Sequence, residues 1–180
     1  MNTDPAWVFA YGSLMWDPGF DVAERQLARL EGFHRSFCMR SIHHRGTVEN
    51  PGLVLALDAL SGAVCNGLAL RIAPGAEVAA MAYLRERELV SSAYLERTVN
   101  LRLKDGRDVK AVSYIVDTDH VQYCGHLDLE EQAQIIARSV GGRGPNWEYL
   151  KNTAAHLVEL GLRDPDLDWL NLRVGELRAC

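Results

Sequence analysis

Two short stretches hold residue types from which a reaction could be built. One is Ala10-Tyr11-Gly12-Ser13-Leu14-Met15, where the apolar run Trp7-Val8-Phe9-Ala10 stops at a glycine. A run that short, bounded by a glycine turn, reads as a buried strand rather than a helix. Gly12 permits backbone conformations closed to other residues, so successive N–H groups behind the strand can converge into a nest for an anion such as a carboxylate. The same residues also suit an ordinary strand-to-turn junction. The other stretch is Arg85-Glu86-Arg87-Glu88. A carboxylate there, if held out of water, has the chemistry of a general base or acid; a solvated one simply pairs with the arginines.

Other candidates are weighed in the same way. Arg40 and Arg45 offer guanidinium groups that form paired hydrogen bonds with carboxylates, or they serve as surface ion pairs; Arg40 ranks higher because it ends a strand-like run. Ser13 lacks the second glycine of a nucleophile elbow and has no clear helix behind it, which argues against a serine hydrolase. His43 and His44 are adjacent, and on a strand they would point to opposite faces. His34, His120, His126 and His156 show no ligand spacing, so no metal is expected.

The elements that must position these residues follow from composition and period. The chain has 180 residues with a net charge of -5, which suits one domain spanning 1–180 and argues against a nucleic-acid partner. Neither a signal peptide nor a membrane-spanning run is visible, so a cytoplasmic location is expected. The four cysteines, Cys38, Cys65, Cys124 and Cys180, are scattered and read as free thiols. After the first strand, an extended region over about 30–42 leads to a hairpin of Leu53–Leu57 and Val64–Ile72 turned by Ser61-Gly62. A helix opens at Pro74-Gly75-Ala76 and ends near Glu88. Strands Thr98–Leu103 and Val109–Val116 join through Asp105-Gly106, a strong hairpin signal. Asp128 caps a helix with Glu131 three residues on, Asn146 caps a second through Leu160, and Asp164-Pro165 starts a third. Trp147, Tyr149, Leu150, Leu157 and Leu160 read as helix-packing positions. Hairpins first and helices last indicate an α+β chain.

Tyr11-Gly12-Ser13-Leu14-Met15-Trp16, Glu31 to Arg40, His44-Arg45-Gly46-Thr47 with Asn50-Pro51-Gly52, Tyr83 to Glu88, and Gly144-Pro145-Asn146 with Tyr149-Leu150 occur in one order along the chain. In that order they resemble the ChaC-type γ-glutamylcyclotransferases over almost the whole length. Family members usually carry glycine before the loop tyrosine, where this chain has Ala10. The resemblance implies a small mixed β-barrel with flanking helices and a helical C-terminal region. It also implies an enzyme that cyclises the γ-glutamyl unit of glutathione, releasing 5-oxoproline and cysteinylglycine without a cofactor. Glu88 takes the catalytic glutamate position as general base and acid. The loop Ala10, Tyr11, Gly12, Ser13, Leu14 and Met15 would hold the substrate's α-carboxylate. Tyr114 matches the family's site tyrosine and would hydrogen-bond substrate, or it is a core aromatic with a satisfied hydroxyl; Tyr94 is a weaker candidate. Two alternatives stay open: the same chemistry on other γ-glutamyl amines or dipeptides, and a non-catalytic binder of γ-glutamyl compounds. The oligomeric state is not legible.

Overall fold

The apolar run near the N-terminus is β1 (Trp7–Ala10), buried at every position, as a strand covered on both faces requires. The computed structural model describes residues 6–89 and 91–180. β2 (Val22–Ser41) and β3 (Gly52–Ile72) are long strands, and β4 (Tyr94–Leu103) and β5 (Asp108–Val116) form a shorter pair. The five close into a barrel in the order β1-β3-β2-β4-β5. β1 runs antiparallel to β3, with Val8 opposite Leu70, and parallel to β5, with Val8 opposite Val112. The parallel contact makes the barrel mixed and seals it, so no apolar sheet edge is left open there. Inward positions alternate: Val99, Leu101 and Leu103 of β4 are buried while Asn100 and Arg102 are exposed. The inward set meets Trp7, Phe9, Leu30, Leu57 and Ala111 in one apolar cluster, the pattern that burial of one strand face demands.

Two compact units make up the chain, Met1–Arg35 with Leu57–His120 and Ser36–Ala56 with Val121–Cys180. The first holds α1 (Glu77–Leu89), whose Ala80, Met81 and Leu84 are buried. The second holds α2 (Leu129–Arg138), α3 (Asn146–Glu159) and α4 (Pro165–Ala179), which pack on one another. It also holds a ribbon of β6 (Val140–Gly141) and β7 (Gly144–Pro145). Among the described residues no helix is long and apolar enough to cross a membrane.

The α+β barrel is the expected class, and several local signals behave as read. Arg102 lies opposite Asp108 across the Asp105-Gly106 turn, with Gly106 at φ 96°. The Asp128 carboxylate accepts from the Glu131 N–H at 2.8 Å, and that of Asp164 from Leu167 at 3.1 Å. Two expectations need correction. No hairpin forms at Ser61-Gly62: β3 runs unbroken through it with Gly62 at φ 82° inside the strand, where glycine lets a strand bend without reversing. Asn146 does not cap α3. Its amide Oδ1 accepts from the Leu53 N–H and its Nδ2 donates to the Leu53 carbonyl, both at 2.8 Å, while Pro145 stands at the cap position. The amide thus imitates a neighbouring strand, satisfying buried groups that would be costly unpaired.

Candidate functional site

The loop after β1 is a single 3₁₀ turn over Ser13–Met15. Its N–H to carbonyl bonds run from Met15 to Gly12 at 2.9 Å, from Trp16 to Ser13 at 3.2 Å and from Asp17 to Ser13 at 2.8 Å. The N–H groups of Gly12, Ser13 and Leu14 stand outside these bonds, as the first groups of any helical turn do. The Met15 N–H is engaged within the turn itself. Gly12 is buried, yet a Cβ built on it would meet nothing within 4 Å beyond its chain neighbours. There is open space beside the loop. Ala10 is fully buried and Tyr11 packs against the barrel cluster. The Tyr11 carbonyl accepts from Nε of Arg35 at 2.6 Å, and Arg35 also donates to the Asn66 carbonyl at 2.7 Å. Arg35, only 6% exposed, fixes the root of the loop, and nothing in its sequence context distinguishes it from a surface arginine.

Glu88 lies in the last turn of α1. Its side chain is 17% exposed, and Arg87 Nε stands 3.5 Å from its Oε1. Burial raises the carboxyl pKa above the usual range, against the pull of the Arg87 guanidinium. Glu86, two residues earlier on the helix, is exposed. Arg87 reaches from the helix to the loop: Nη2 donates to Ser13 Oγ at 2.9 Å and Nη1 to the Asp17 carbonyl at 2.7 Å. One guanidinium thus joins the turn to the residue beside Glu88. Alternating charges at 85–88 hide this role, because the sequence does not say which arginine faces the loop.

Tyr114 of β5 is 2% exposed, and its hydroxyl donates to Oε1 of Glu96 at 3.0 Å. Arg85 holds the same carboxylate with two bonds, at 3.0 and 3.2 Å. Burial, followed by the Glu96 charge, pushes the Tyr114 pKa up, and the Glu88 charge adds to the rise. Tyr114 is therefore both a core aromatic and a neighbour of Glu88. The first unit gathers the loop, Glu88 and Tyr114. Arg40 belongs to the second, where it borders a cavity of about 420 Å³ with Glu131 and Arg138. Arg45 donates to the Pro145 carbonyl at 3.1 Å and lies over the Tyr149 ring, which makes it a packing residue of that unit. His43 and His44 are exposed and follow the end of β2, so the alternation of a strand does not apply to them. Slight desolvation, aided by the Arg143 charge, lowers the His44 pKa.

The family model described as ChaC-like protein matches residues 6–177. Curated relatives include the glutathione-specific gamma-glutamylcyclotransferase of Escherichia coli (strain K12), 36% identical over 97% of this chain and 75% of its own length. Another is the glutathione-specific gamma-glutamylcyclotransferase 1 of Homo sapiens, 31% identical over 97% of this chain and 80% of its own. The crystal structure of the yeast gamma glutamyl cyclotransferase specific to glutathione superimposes with a TM-score of 0.82 at 26% identity, covering 97% of this chain and 99% of that one. With a family match along nearly its entire length and the same barrel, the chain belongs to the ChaC-like protein family.

Proposed function

We propose that the chain cleaves the γ-glutamyl bond of glutathione by intramolecular cyclisation, with Glu88 as the proton-transfer group. The observation that carries this reading is the Glu88 carboxyl, withdrawn from water with a raised pKa and tied through Arg87 to the loop that bears the open N–H groups. The relatives' names supply the substrate.

The chemistry needs little else. The substrate's α-amine attacks its own γ-carbonyl, a five-membered lactam closes, and the amine of cysteinylglycine leaves. The α-amine arrives protonated, so a base must first free its lone pair; the leaving nitrogen must then gain a proton. One carboxylate can take the first proton and return it in the second step; a raised pKa makes it a better base for the first transfer and keeps it protonated until the second. The Gly12, Ser13 and Leu14 N–H groups would hold the α-carboxylate, fixing the glutamyl unit in a folded, near-attack form. Because Tyr114 donates its own proton to Glu96, its oxygen keeps lone pairs with which to accept from the α-ammonium. The four cysteines, none of them in a disulfide, suit a reducing compartment, and the reading assigns the reaction to the cytoplasm.

Purified protein incubated with glutathione should release 5-oxoproline and cysteinylglycine in equal amounts. Release of 5-oxoproline from γ-glutamyl dipeptides but not from glutathione would keep the chemistry and change the substrate. If glutathione binds by calorimetry and no 5-oxoproline forms from any γ-glutamyl compound, the chain is a binding protein and the enzymatic reading fails.

A further inference from the structure

Two cysteines far apart in sequence face each other in the second unit. Met39 of β2 pairs antiparallel with Tyr123. On either side of that pair the Arg40 N–H donates to the Gln122 carbonyl and the Cys124 N–H to the Cys38 carbonyl, each at 2.8 Å. The Gln122 side chain adds a bond to the Arg40 carbonyl, also at 2.8 Å, which holds the register. Cys38 is therefore directly opposite Cys124, and residues directly opposite in an antiparallel pair project to the same face. The wider of the two antiparallel spacings, the one these bonds indicate, sets opposite Cα atoms about 5.5 Å apart in general, within the roughly 4.4–6.8 Å that a disulfide bridges. Neither cysteine is in a disulfide in the structure. Their surroundings differ: Cys38 is 0% exposed, whereas Cys124 is half-buried and within electrostatic reach of the Arg40 guanidinium.

We propose that Cys38 and Cys124 form a reversible dithiol–disulfide site oxidised by low-molecular-weight disulfides. Cys124 is the entry thiol, because it alone of the two meets solvent. Its thiolate attacks one sulfur of the small disulfide, forming a mixed disulfide and expelling one small thiolate. The Cys38 thiolate then attacks the Cys124 sulfur, closes the protein disulfide and expels the second. The protein gives up two electrons and two protons, and one small disulfide becomes two small thiols. Burial raises the Cys124 thiol pKa while Arg40 opposes it, so exchange is slower than at an unhindered surface thiol.

The test uses hydroxyethyl disulfide and β-mercaptoethanol. Neither is a γ-glutamyl compound, so the outcome does not depend on whether the chain cleaves glutathione. The full chain carries Cys180→Ser, which removes the exposed terminal thiol. Without denaturant, hydroxyethyl disulfide should remove two hydrogens from the protein mass and yield a Cys38–Cys124 linked peptide under non-reducing digestion. Excess β-mercaptoethanol should abolish that peptide. Adding Cys38→Ser should replace the linked peptide with a lasting mixed disulfide on Cys124; adding Cys124→Ser should leave position 38 unmodified. The Cys180→Ser result alone decides if either double variant misfolds. A lasting mixed disulfide on Cys124 with Cys38 still reduced, a linkage through Cys65, or a linked peptide that forms only in denaturant would overturn the proposal.

Discussion

A carboxylate that takes a proton from an ammonium and returns one to a departing amine works best above its ordinary pKa, and burial at the end of α1 moves Glu88 that way. Glu88→Gln should keep most glutathione affinity while lowering kcat by roughly a hundred- to ten-thousand-fold, the usual worth of a positioned proton-transfer group. Glu86→Gln, on an exposed face of the helix, should change kcat less than twofold or so, as surface substitutions do. Steady-state kinetics with 5-oxoproline detection separates the two. Glu88 also bears on stability. Burial penalises the charged form in the folded state alone, so the native pKa exceeds the unfolded one. Stability from the neutral carboxyl is present below the unfolded value and lost as pH rises through the native value. Ionised Glu88 is thus a cost to the fold at neutral pH. Glu88→Gln should melt at higher temperature than the parent at pH 7, by about 2–4 °C for each kcal/mol recovered. The gain should fade as pH falls through the native value and be gone below the ordinary value of 4.5. Choosing Glu88 over Glu86 from the sequence took the family resemblance, because four alternating charges look alike until the packing of α1 decides which one is buried.

Elements acquire their meaning from the side chains that join them. Arg87 links α1 to the 3₁₀ turn through Ser13 and Asp17. Arg87→Ala should raise KM for glutathione roughly tenfold, about 1.4 kcal/mol; the low end for a charged hydrogen bond is chosen because the side chain is 23% exposed. It also removes the positive charge that lowers the Glu88 pKa, so the acid limb of kcat/KM should move to higher pH. Arg87→Lys should restore the pH profile without restoring KM, since lysine keeps the charge but not the fork; a merely structural arginine would leave that limb unmoved. Asn146 joins α3 to β3 through both polar groups of Leu53. Asn146→Ala strands a buried N–H and a buried carbonyl, a cost of about 2–4 kcal/mol that should lower Tm by roughly 4–16 °C in calorimetry. Caps with a local signature, Asp128 and Asp164, were legible because donor and acceptor lie three residues apart. The role of Asn146 was not, because its partner lies 93 residues away. Ser61-Gly62 misled for a related reason: the dipeptide favours positive φ, but whether that bends a strand or reverses it depends on the partner strands.

At the scale of the molecule, the class was legible from the grouping of strands before helices, and the barrel came from the family resemblance. Strand order was not legible, since β1 finds its parallel neighbour in β5 and no local pattern announces that pairing. That closure has a consequence for the life of the chain before it is folded. The Ser113 hydroxyl reaches the Phe9 carbonyl across 104 residues, a loop whose entropy must be met before any contact rewards it. β1 can pair with β3 once Arg71 exists, but its other edge stays open until β5 has been made, and an open apolar edge recruits foreign strands. Synthesis therefore passes through an interval in which the first strand made waits for the last strand of the barrel. Ribosome-bound chains arrested with their exposed portion ending before β5 should retain chaperones on Trp7–Ala10, and chains arrested with β5 outside the exit tunnel should let them go.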